Sequence, residues 1–167
     1  VRARGGAVAY DPNYRASLWR DEESARKQMR SLVPMADYIK ISDEETELLT
    51  GHSSPREAAR ALPEQGACCA AVTLGEEGAL IAARDGMAVV PGCAAKWVVD
   101  TTGAGDAFWG AFLTQVAGSG LSPREVTLEK AAEFARFANA AASLCIGRRG
   151  AIPALPSLAE VKERMEK

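Results

Sequence analysis

Imidazole is almost missing from this chain: one histidine, His52, stands in 167 residues. It follows a helix-ending Gly51, and a lone imidazole makes a poor metal site, so His52 is read as a surface loop residue. Apolar runs of about 18 residues are also missing, so no membrane span is expected. No signal-peptide pattern is seen, which argues against secretion. Neither sign of charge dominates: 20 basic residues against 22 acidic ones leave a formal net charge of −2. No global field therefore points to nucleic acid or anionic lipid, and small-molecule chemistry is the better default. The cysteines Cys68, Cys69, Cys93 and Cys145 form no CxxC pair. In apolar or small-residue surroundings they read as reduced core thiols, which fits a cytoplasmic protein. A Gly-x-x-x-x-Gly-Lys-Ser/Thr loop is absent, as are His-Arg-Asp and Asp-Phe-Gly, so P-loop and protein-kinase chemistry have no support. Internal repeats, low-complexity runs and linkers are missing as well, leaving one domain as the reading.

What is present is a chain with 47% hydrophobic residues, enough for one core. Ala7–Tyr10 reads as a buried strand broken by Asp11-Pro12-Asn13. A charged helix is expected over about 21–32, then a strand over 38–41, a short helix over 44–49 and another over 55–62. Cys68–Leu74 is a continuous apolar strand, and 78–83 with 87–90 reads as a hairpin turned by Arg84-Asp85-Gly86. Trp97-Val98-Val99 reads as extended. A long helix follows over 127–145, with its charges in the first half, and an amphipathic helix starts at Leu158. Ser54, Ser122 and Ser157 each precede a Glu by three residues, as in a capping box. Strands alternating with helices predict an α/β fold with a helix-covered, mostly parallel sheet.

The most informative stretch is Asp100-Thr101-Thr102-Gly103-Ala104-Gly105-Asp106. Behind it Phe108, Ala111, Phe112, Gln115 and Val116 recur at helical spacing, so the glycine turn opens a helix. Gly103 and Gly105 let backbone N–H groups approach a ligand, and the unpaired N–H groups of a first helical turn form an anion hole reinforced by the helix dipole. Asp106 lies in that turn, where the dipole favours negative charge and a carboxylate can take a proton from a hydroxyl. The plainer alternative is a helix cap on a tight turn.

With the residues that follow it, Ala107-Phe108-Trp109-Gly110-Ala111-Phe112, this stretch resembles the C-terminal signature of the ribokinase-like carbohydrate kinases, the PfkB family. The resemblance implies a ribokinase-like fold and covers the family's C-terminal half, without its lid and N-terminal strands. It implies ATP-dependent phosphorylation of a primary sugar hydroxyl, with Asp106 as base and the backbone of Gly103, Ala104 and Gly105 as anion hole. Asp11-Pro12-Asn13-Tyr14-Arg15-Ala16-Ser17-Leu18-Trp19 is similar to a fructokinase segment. That makes Asn13 and Arg15 candidates for substrate and phosphate, although Asp-Pro-Asn is also an ordinary turn. Ribose, 2-keto-3-deoxygluconate and nucleosides are the alternative substrates within the family, and a non-catalytic nucleotide-binding fragment is the alternative outside it.

Ser42-Asp43-Glu44-Glu45 falls where many members carry Asn-x-x-Glu, which implies that Glu45 meets Mg²⁺ through water; the same residues also fit a capping box. Thr73, Gly75 and Gly78 match the family's Thr-x-Gly-x-x-Gly nucleotide segment. Asn139 and Ser143 fall on its adenine-pocket helix, where tight packing explains the neighbouring alanines equally well. Asp100, Thr102, Arg148 and Gly150 fall in segments that give backbone oxygens to a monovalent cation in many relatives, which makes K⁺ a further candidate. ATP and a sugar are the implied ligands, with no nucleic-acid or membrane partner. The sheet is expected to leave an apolar edge and face for a second copy, as a homo-oligomer, or for a missing N-terminal half.

Overall fold

Alternation along three strands sorts the apolar side chains into two layers. Ile39, Ile41, Ala70 and Val72 point to one side, while Tyr38, Cys69 and Ala71 point to the other. The computed structural model describes residues 1–166, the side chain of Arg2 apart. Its sheet has five strands in the order β1 (Ala9–Tyr10), β2 (Tyr38–Ser42), β3 (Cys69–Thr73), β4 (Gly78–Ala83) and β5 (Gly86–Pro91). β1, β2 and β3 run parallel, and the expected hairpin of β4 and β5 adds two antiparallel pairings. The sheet is therefore mixed, with the parallel strands grouped at one side.

Helices cover both faces. α1 (Glu22–Leu32), α2 (Thr46–Thr50) and α3 (Pro55–Glu64) pack Met29, Leu48, Leu49 and Leu62 onto the Ile39–Ile41 face. α4 (Ala104–Ser119) and α5 (Leu128–Cys145) cover the Tyr38 face, and α6 (Leu158–Met165) lies against α5. Ser42–Glu45, Ser122–Glu125 and Ser157–Glu160 each form a complete capping box. Ser54 accepts from the Glu57 amide. The Glu57 carboxylate instead lies 3.8 Å from His52 on the exposed surface.

Two expectations need correction. The buried strand over 7–10 shrinks to Ala9–Tyr10, with Ala7 and Ala9 exposed, because β1 is the edge strand and pairs on one side only. Trp97, Val98 and Val99 join no strand and are more than half exposed. Cys68, Cys69 and Cys145 are buried and Cys93 half-buried, all as free thiols. Among the described residues no helix is long and apolar enough to cross a membrane.

The seat of α4 is aromatic. Phe112 is fully buried, stacked at 5.5 Å on Trp109 and 6.3 Å on Phe108, and meets Phe134 of α5 edge-on at 5.9 Å. Trp109 and Ala107 thus join the buried face along with Phe108 and Phe112, while Ala111, Gln115 and Val116 are only half-buried. Phe112→Ala is expected to cost about 3–5 kcal/mol, since the ring's contacts are lost and a cavity remains. Urea unfolding of the two proteins checks this, and a loss below about 1 kcal/mol would mean that α4 is held by something else.

Candidate active site

Parallel strands put their C-terminal ends on one edge of the sheet, and α/β folds bind ligands there. On this edge stand Asp11 just after β1, Ser42 at the end of β2 and Glu45 after it, and Thr73 at the end of β3, paired with Ser42. The start of α4 comes to the same edge. A Cβ built on Gly105 would lie 3.1 Å from the Lys40 ammonium, so the first turn of α4 sits against β2.

Gly103 is the N-cap of α4, at φ +81, and no side chain caps the helix. Its conformation suits glycine, and a Cβ there would stand 2.9 Å from Ala151. The Ala104 amide turns back to Thr101 and the Ala107 amide to Gly103. Among the described residues the amides of Gly103, Gly105 and Asp106 have no acceptor. These are the orphan donors of a helix start, with the positive end of the dipole behind them. The Asp106 side chain is exposed on the same turn and borders a cavity of about 320 Å³ formed by α4, α5 and the start of α6.

The direction of the turn is fixed by Asp100. One carboxylate oxygen accepts from the Thr102 amide and the other from the Gly150 amide, both at 2.9 Å. Hydrogen bonds from Thr102, then from Gly150, hold this carboxyl down at about 2. The Val99 and Asp100 amides donate to Ile146 in addition. Asp100, Thr102 and Gly150, three of the four cation candidates, therefore form one bridged unit. Arg148 pairs with Glu160, whose carboxyl is held at about 2 by that guanidinium and by Ser157.

Glu45 is buried, and both of its oxygens are engaged. One accepts from the Tyr14 amide at 2.6 Å, the other from the amide and hydroxyl of Ser42 at 2.8 and 3.0 Å. It thereby ties the 11–15 loop to the end of β2. Three donors leave room for a water of hydrated Mg²⁺ and little for the bare ion. Asn13 adopts a left-handed φ of +45 on an Asp11 turn, and the Arg15 guanidinium donates to the Tyr14 carbonyl; both residues are exposed. Burial pushes the Asp11 carboxyl up, while the Lys40 ammonium 2.9 Å away pulls it down.

The nucleotide candidates separate. Thr73 donates weakly to Ile41, and Gly75 is open to solvent. Gly78 is packed so closely that a Cβ would stand 2.2 Å from the Val90 carbonyl, so the β-hairpin alone demands glycine there. Asn139 gives its amide protons to the carbonyls of Val90 and Pro91, which satisfies a buried amide within the fold. Ser143, one turn further along α5, lines a cavity of about 590 Å³ together with Lys96, Trp97, Arg148, Glu160 and Arg164. Lys40 is the charged residue that sequence reasoning left without a role, although an ionic side chain between Ile39 and Ile41 in an apolar strand was the available signal.

The first turn of α4 thus brings open amides and an exposed carboxylate to the strand-end edge of an α/β sheet. The chain belongs to the pfkB family of carbohydrate kinases, whose model matches residues 1–158. Fructokinase-1 of Zea mays is 40% identical over 168 residues, which is 100% of this chain and 51% of that protein. A double-mutant fructokinase from Vibrio cholerae O395, in a fructose-, ADP- and potassium-bound form, superposes with a TM-score of 0.88 at 32% identity, over 98% of this chain and 52% of that one. Aminoimidazole riboside kinase from Salmonella enterica, complexed with aminoimidazole riboside and an ATP analog, gives 0.84 at 30% identity, over 99% and 54%. The chain thus spans about half the length of the relatives it matches.

The Asp100 bridge has a pH signature. A carboxyl held at about 2, against an ordinary 3.8, stabilises the fold above about pH 4 and loses that contribution as the pH falls toward 2. Asp100→Asn is expected to melt lower than the parent at pH 7, with the gap closing between pH 4 and pH 2. Thermal melts across that range check it, and a gap independent of pH would deny the carboxylate its part.

Proposed function

We propose that this chain carries the nucleotide side and the base of an ATP-dependent sugar kinase that phosphorylates a primary hydroxyl, with fructose as the sugar. The observation that carries the reading is the first turn of α4, where uncommitted amides and the exposed Asp106 carboxylate share one helix start. Phosphoryl transfer needs little covalent help from the protein; it needs the reactants held in line and the charge on the moving oxygens met. The amides of Gly103, Gly105 and Asp106 are preorganised donors for that charge. Asp106 accepts the proton of the attacking hydroxyl.

The 590 Å³ cavity between α5 and α6 suits a nucleoside, with Trp97 as a flat wall and Ser143 at its floor. Thr73 at the end of β3 and Gly75 just after it would border the phosphates. Asn13 and Arg15, exposed on the loop that Glu45 anchors, face the sugar and the phosphate it receives, Arg15 through its planar donor fork. Mg²⁺, when bound, neutralises the β- and γ-phosphate oxygens. Glu45 would hold it through water, and the Asp100–Gly150 unit would serve K⁺, the ion of the Vibrio cholerae relative. Fructose is favoured because the 11–19 segment and the Zea mays relative agree on it. A riboside is the second reading, favoured by the superposition on the Salmonella enzyme.

In the intact gene product carrying these residues, Asp106→Asn is expected to lower turnover by about 10² to 10⁴ while nucleotide affinity stays near that of the parent. Parallel measurement of sugar-dependent ADP release and nucleotide binding tests this. Near-normal turnover would remove Asp106 from its role. A panel of fructose, ribose, 2-keto-3-deoxygluconate and aminoimidazole riboside assigns the substrate, and the highest kcat/KM is expected for fructose.

A further inference from the structure

We propose that Lys40 contacts the transferred phosphoryl group, meeting it from beneath the Gly103–Gly105 turn as a fixed cation. The proposal rests on the kinase reading above and adds to it a residue of β2. Lys40 is 6% exposed, between Ile39 and Ile41, on the sheet face that α4 covers. Its ammonium would stand 3.1 Å from a Cβ on Gly105, and so lies against the backbone whose amide has no acceptor. An ammonium has three protons to donate. One goes to Asp11 at 2.9 Å, and the ammonium meets no other acceptor among the described residues.

Donors are concentrated in this place. A buried cation, the positive end of a helix and three open amides lie at one helix start, where Asp11 holds the cation, Glu45 stands near enough to act on Asp11, and Asp106 is exposed on the same turn. A buried ion pair is by itself weak evidence of a stabilising role, since well-packed apolar residues of the same volume often do as well. Open donors beside a fixed cation suit a small anion with several oxygens, which is what a phosphoryl group presents. Asp11 then acts as the holder of the ammonium, keeping it extended under the turn. A Cβ at 105 would make a tight contact with this ammonium, which would have to give way by a few tenths of an ångström.

The test is calorimetry on this chain with MgADP and with the magnesium complex of AMP-PNP, which carries the third phosphoryl position. Lys40→Met is expected to weaken AMP-PNP binding by about tenfold or more and to leave ADP within about twofold, a charge-assisted hydrogen bond being lost at one position only. Because Lys40→Met leaves Asp11 without its partner, the decisive protein is the double variant Asp11→Asn/Lys40→Met, which removes both charges and is checked for folding by circular dichroism. The same selective loss is expected there. Recovery of the parent's AMP-PNP affinity in the double variant would reduce Lys40 to a neutraliser of Asp11 and overturn the proposal, as would equal weakening of both nucleotides. Failure of the parent chain to bind either nucleotide is a separate outcome, and it would overturn the kinase reading itself.

Discussion

The two hydrogen bonds that Asp100 accepts, from Thr102 and from Gly150, decide which way α4 starts and therefore what its first turn can face. A helix start is an anion site only if its amides point at open space, and a turn of small residues does not choose its own direction. Here the choice is made from two sides. Behind the turn, the aromatic cluster of Phe108, Trp109, Phe112 and Phe134 sets the helix axis. Ahead of it, Asp100 and the contact of Gly103 with Ala151 clamp the turn to the loop after α5. A carboxylate in this arrangement is a structural part, consumed by two amides. Asp106, six residues on, is left exposed. The division of labour between the two acids follows from their partners.

Coupling along the strand-end edge comes from a second pair of side chains. Glu45 reaches from the end of β2 to the Tyr14 amide, and Lys40 reaches from within β2 to Asp11. Both ends of the 11–15 loop are thus pinned to the strand that lies beneath α4. Asn13 lies between these anchors and Arg15 just beyond the second, both with exposed side chains. The loop and the helix start share β2 as a common floor, so the candidates on the loop and Asp106 on the helix keep a fixed relation through rigid elements.

Much of this was legible in the sequence, because periodicity and local chemistry write themselves into neighbouring residues. The helix-forming spacing behind Asp106, the three Ser-x-x-Glu starts outside the 100–106 turn and the hairpin around Arg84-Asp85-Gly86 all depend on residues a few positions apart. What was not legible depends on distant partners. The 7–10 segment has the composition of a buried strand, yet it lies at the sheet edge and keeps only two residues paired. Asn139 reads as a residue that needs a partner; that its partners are the carbonyls at the end of β5 follows from packing alone. Gly78 carries both a motif position and a steric necessity, and only the approach of Val90 separates them. Lys40 stood in plain sight between two isoleucines, but its neighbour Gly105 is 65 positions away and joins it only through the fold.

The central claim is that the open amides at the start of α4 receive a phosphoryl group. The most direct measurement is a ¹⁵N–¹H correlation spectrum of this chain titrated with the magnesium complex of AMP-PNP. The account predicts that the largest shifts fall on the amides of Gly103, Gly105 and Asp106, with smaller ones around Ser143 and Trp97. Saturable binding that moves other parts of the surface and leaves those three amides unchanged would contradict it.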